Sequence, residues 1–94
     1  MRVSFGRTLD GGWATTAIGR ISAAGRWRGS DGFVIETERE AALELLKREA
    51  AEYGADGIVG VRFETDEVRN SEIDGVALRR VTATGLAVRI ARAA

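Results

Sequence analysis

Three carboxylates fall within four residues, Glu64, Asp66 and Glu67 in F-E-T-D-E. Oxygen donors at this density suit a hard cation, and repetition around the axis of a symmetric assembly would let sparse carboxylates converge into one site. On a strand, Glu64 and Asp66 share a face while Glu67 points the other way. The plainer reading is that these acids charge a strand end and discourage edge pairing. A second cluster, Arg26, Trp27 and Arg28 between Gly25 and Gly29, combines two cations with an indole. A loop of that kind can stack on a ring or clamp an anion; its plainer reading is a flexible connector whose Trp27 packs on a neighbour.

Other chemistry is narrowed by what the chain lacks. The 94 residues contain no histidine and no cysteine, which removes the commonest general base, the commonest transition-metal ligand, thiol nucleophiles, thiolate metal sites and disulfides. Soft metals find one thioether, Met1, and no imidazole. Ser4, Ser22, Ser30 and Ser71 have no histidine to activate them, and Lys47, the only lysine, sits on the polar side of a helical pattern. No spacing selects a carboxylate pair for acid and base work. An enzyme is therefore not expected, and no cofactor is implied.

Gly54, Gly57 and Gly60 have the spacing of a phosphate loop, but they follow a helical segment and open a strand. A phosphate loop needs a helix N-terminus pointing at the anion, so these glycines read as a cap and as points of close packing. Fourteen basic and fourteen acidic residues balance, which gives no global field toward nucleic acid or anionic membrane. The N-terminal M-R-V-S-F-G-R-T has no apolar signal core, and no apolar run is long enough to span a bilayer, so a cytoplasmic, non-membrane chain is expected.

The elements that would carry these residues are legible in part. Thr37 and Glu40 fit a capping box. Ala42, Leu43, Leu46, Ala50 and Tyr53 follow as an apolar stripe, and Gly54 supplies the stop. Ile58 to Glu67 alternates as a strand, with Val59, Val61 and Phe63 on one face. After a loop within R-N-S-E-I-D-G, Val76 to Ile90 forms a second strand, whose small set Val81, Ala83, Gly85 and Ala87 would let a helix approach closely. A further strand runs from about Trp13 to Ala23, after the D-G-G turn. The order β-α-β-β with a right-handed crossover predicts a single α+β domain over residues 1–94, with two layers. Its antiparallel three-stranded sheet has order 1-3-2 and one helix on one face. Leu86, Val88 and Ile90 fall on the face the helix leaves bare, and a patch of that kind predicts self-association.

The run A-A-L-E-L-L-K-R-E-A-A-E-Y-G-A-D-G-I-V-G-V-R-F-E-T-D-E and the later V-T-A-T-G-L-A-V-R-I resemble the YbjQ family, labelled a heavy-metal-binding domain, and I-G-R-I-S-A-A-G-R resembles its first strand more loosely. The resemblance covers roughly Glu38 to Ile90. It implies a dodecin-like β-α-β-β subunit assembling as a pentameric ring. It also implies a longer glycine-rich insertion before the main helix, for which this chain offers only about Arg26 to Ile35. The function expected is that of a non-enzymatic homo-oligomeric module. The alternative is a small-ligand or cation-binding protein using an intersubunit acidic site around Glu64, Asp66 and Glu67 with the Arg26, Trp27 and Arg28 loop.

Overall fold

In a computed structural model, which describes residues 1–70 and 76–91, the elements run β1 (Arg2–Val3), β2 (Thr15–Ala24), β3 (Arg28–Gly29), α1 (Ile35–Glu52), β4 (Gly57–Asn70) and β5 (Val76–Ile90). A 3-10 turn, Ser30–Gly32, precedes the helix. The expected hairpin loop falls largely at 71–75, outside the described residues.

Helix α1 starts three residues earlier than the capping box predicts. Val34 is the N-cap, no side chain caps it, and the Glu38 N–H donates to the Val34 carbonyl at 2.9 Å. Phe33 and Ile35 pack against the core, so apolar contact sets the first turn where a Thr37 cap, worth about 1 kcal/mol, would have set it later. The far end is as expected. Gly54 has φ +71°, and its N–H and that of Ala55 close on the carbonyls of Ala51 (3.0 Å) and Ala50 (3.1 Å), a Schellman cap. Ala42, Leu46 and Ala50, one turn apart, are fully buried on the sheet, whereas Tyr53 of the predicted stripe is exposed.

Among the three long strands β5 lies in the middle, antiparallel to both β4 and β2. The complete sheet differs from the expected one. It has five strands in the order β1-β4-β5-β2, β1 is parallel to β4, and β3 pairs with β5 where β2 has ended. Two pairing residues were too short a signal for periodicity to reveal β1 or β3.

The larger correction concerns β4. Val59 pairs with Leu86 and Arg62 with Thr84, so β4 spends three steps where β5 spends two. The extra residue is a bulge at Gly60, whose φ of +63° belongs to the left-handed region that glycine enters without steric cost. Beyond it the faces exchange. Ile58 joins Val61 and Phe63 under the helix with Val81 and Ala83, and Val59 turns to the opposite face with Val88. Strict alternation, which placed Val59 with Val61 and Phe63, fails by that one residue. A second shift lies in β2 between Ala17 and Gly19.

The helix-free face is partly covered by the chain itself. Leu9, 2% exposed, packs on Val59 and Val88, with Leu86 and Ile90 beside them. The N-terminal segment thus supplies cover that the sequence reading assigned wholly to other copies.

Gly85 sits opposite the bulge, where a Cβ would lie 2.6 Å from Ile58 Cγ2 and 3.3 Å from the Val59 carbonyl oxygen. Gly85→Ala is expected to destabilise the fold by about 2 kcal/mol through overpacking. Urea denaturation of the two proteins checks this, and an unchanged midpoint would contradict the packing described.

Candidate functional site

The Arg26, Trp27 and Arg28 segment is tied to the sheet. Gly25 N–H donates to the Val81 carbonyl at 2.8 Å, and Arg28 and Gly29 pair with Arg79 and Leu78 of β5. Arg28 Nε lies 2.7 Å from Glu38 Oε1, and the Glu38 side chain is 4% exposed. This carboxylate is the buried charged group among the described residues, and burying it unpaired would carry a heavy desolvation cost. Arg28 offsets that cost and clamps β3 onto the first turn of α1. Arg26 is exposed.

Trp27 and Asp66, which belong to different clusters in the sequence, meet through one arginine. The Arg80 guanidinium carbon stands 4.4 Å over the Trp27 ring, and Arg80 Nε lies 3.3 Å from Asp66 Oδ2, which also accepts from the Thr82 hydroxyl at 3.1 Å. Register explains the meeting, since Asp66 pairs directly with Arg80 across β4 and β5. Glu67 pairs with Arg79, whose Nε is 3.6 Å from Glu67 Oε1, and Arg69 Nε is 3.7 Å from the same oxygen. Glu64 pairs with Thr82 and is exposed. The three acids therefore lie in a cross-strand charge ladder: Asp66 and Glu67 each face a cation, and Glu64 stands beside them.

A different constellation occupies the helix-free face. The N-terminal segment after β1 docks on the bulge: Gly60 N–H donates to the Gly6 carbonyl at 2.7 Å, Val61 N–H to that of Ser4 at 3.2 Å, and Ser4 N–H to that of Ile58 at 2.9 Å. Together with the sheet it walls a groove of about 540 Å³ lined by Phe5, Arg7, Arg20, Val59, Arg62 and Leu86. Arg20, Leu86 and Val59 form one row across β2, β5 and β4, and Arg62 stands in the next row opposite Thr84. Among the described residues, three guanidiniums line this groove and no carboxylate does. Arg7, Arg20 and Arg62 enter no ion pair among the described residues, whereas Arg28, Arg69, Arg79 and Arg80 all do. Sequence inspection missed this set because its members lie 13 and 42 residues apart and converge only through the bulge.

A family model described as "Putative heavy-metal-binding", YbjQ, matches residues 15–91. The chain belongs to the YbjQ family. A UPF0145 protein of Methanococcus maripaludis is 49% identical over 35 residues, a match that spans 37% of this chain and 31% of that protein. The fold is similar to that of a crystal structure of a DUF74-family protein of unknown function from Pediococcus pentosaceus. The TM-score is 0.71 at 18% identity, with 97% of this chain and 98% of that one covered.

The donor set does not suit a soft heavy metal. The chain has no imidazole and no thiolate, and two of the three clustered carboxylates are set against guanidiniums that compete with a cation. Among the described residues no three carboxylates gather around a common point. Nor is any helix there long and apolar enough to cross a membrane.

Removing Arg28 strands the Glu38 charge. Arg28→Ala is expected to cost about 2 kcal/mol, and adding Glu38→Gln to it should restore part of the loss, because the group left behind is then neutral. Urea melts of the single and double variants test this; an Arg28→Ala protein as stable as the parent would refute the clamp.

Proposed function

We propose that this YbjQ-family chain works as a non-enzymatic homo-oligomeric module, a pentameric ring in which each subunit's β4–β5 arm packs on a neighbour. The observation that carries the reading is the shape of one chain. Its radius of gyration is 16.0 Å and its extents are 61 × 20 × 16 Å, whereas a compact domain of this length has a radius near about 12 Å. The excess lies in the arm. β4 and β5 have 14 and 15 residues, but the helix-side core reaches only as far as Phe63 and Val81. Beyond that point the pair runs on with the two-residue β3 beside it.

A two-stranded ribbon in water is marginal by itself, and cover from a second copy removes that weakness. Val68, opposite Leu78 on the arm, is 48% exposed, and Trp27 nearby is 39% exposed. An identical subunit is the partner with matching chemistry: the ladder of Asp66, Glu67, Arg79 and Arg80 carries both signs, so the arm presents a surface complementary to itself. The absence of histidine and cysteine from the sequence supports a role in assembly over catalysis.

Light scattering at micromolar concentration should return about 50 kDa for five chains of 10.1 kDa each. Val68→Asp should lower that mass while leaving the far-UV spectrum intact. A folded monomer of the parent chain overturns the reading, and so does a folded Val68→Asp protein with unchanged mass. Excess EDTA should change neither the mass nor the melting temperature; dissociation on chelation would return the acids around Asp66 to a metal-binding role.

A further inference from the structure

The three guanidiniums set the chemistry of the groove. A chain of zero net charge has gathered three cations around one concavity with no carboxylate among the described residues that line it, so the local field is strongly positive although the global one is not. Guanidinium forks match phosphate oxygens in a bidentate way and hold them by charge-assisted hydrogen bonds, which gives three of them a natural preference for a ligand with two or three negative charges.

Size and walls add a second requirement. About 540 Å³ is far more than a bare oxyanion fills and lies within the range of sites for small organic ligands. The remaining wall is apolar. Val59 and Leu86 line the groove on the helix-free face, whereas the Phe5 ring lies 6.0 Å from that of Phe63, which belongs to the helix side. The backbone frame is fixed by the Ser4, Gly6, Gly60 and Val61 hydrogen bonds, so the cations are carried on a sheet and on a segment anchored to it.

We infer that this groove binds a small organic molecule carrying a diphosphate or a comparable cluster of phosphate charge, with the phosphates on Arg7, Arg20 and Arg62 and the organic part against Val59 and Leu86. The inference does not rest on assembly: binding is read by calorimetry and mass by scattering, so either can fail alone.

The test is titration calorimetry of the full chain at low salt with ADP, pyrophosphate, adenosine and citrate. ADP is expected to bind, pyrophosphate and citrate to bind more weakly, and adenosine to give no heat up to about 1 mM. Arg20→Gln and Arg62→Gln should each weaken ADP by about tenfold or more, and raised salt should weaken it further. Leu86→Ala should weaken ADP while leaving pyrophosphate unchanged. Arg7→Gln, on the N-terminal segment and outside the long strands, gives the same readout should a strand variant fail to fold. Three outcomes overturn the inference: no ADP heat at about 1 mM, ADP binding indifferent to the arginine variants, or citrate binding as tightly as ADP.

Discussion

One surplus residue in β4 organises the molecule. At Gly60 the backbone enters the left-handed region, the ladder with β5 slips by a residue, and the strand exchanges its faces. Ile58 and Val61 can then both lie under α1, on either side of Gly85, while Val59 is released to the other face to meet Leu9 and Val88. The consecutive N–H groups of Gly60 and Val61 are taken by the carbonyls of Gly6 and Ser4. Core packing on one face and docking of the N-terminal segment on the other share that origin, and the arginine-lined groove sits where the two meet.

The parts of the fold that were legible in the sequence are those governed by local rules sustained over many residues. The α1 stripe, the glycine stop at Gly54, the small face of β5 and the central place of β5 among the long strands all follow from period and cap chemistry. A bulge is hidden from such reasoning because either face assignment of Ile58 to Phe63 is apolar enough to look right; the positive φ of Gly60 is the deciding feature, and glycine in a strand signals it only in hindsight. β1 and β3 escape for another reason. Two residues have no period, and their pairing is dictated by what the sheet edge leaves open.

For the candidate site the division is similar. The clusters contiguous in sequence are Arg26 to Arg28 and Glu64 to Glu67, yet the fold sets most of these charges against opposite ones: Arg28 holds Glu38 of the helix, and strand register puts Arg80 on Asp66 and Arg79 on Glu67. Such pairs sort strands and keep exposed edges from mispairing more than they recruit ligands. The cations of the groove come from three distant places, Arg7, Arg20 and Arg62, a set that only tertiary structure assembles. Membership of the YbjQ family fixes the fold, while the heavy-metal description finds no imidazole in this chain and no sulfur donor beyond one thioether.

The face exchange at Gly60 is the claim on which the core, the docked N-terminal segment and the groove all depend, and it is directly visible to NMR. In methyl-labelled protein, the Gly85 α-protons should show nuclear Overhauser contacts to the γ2 methyl of Ile58 and also to a γ methyl of Val61, whose carbons lie 2.6 and 3.5 Å from the position a Gly85 Cβ would take. A regular ladder places Ile58 and Val61 on opposite faces. Contacts from Gly85 to only one of the two, with Val59 in place of the other, would contradict the account.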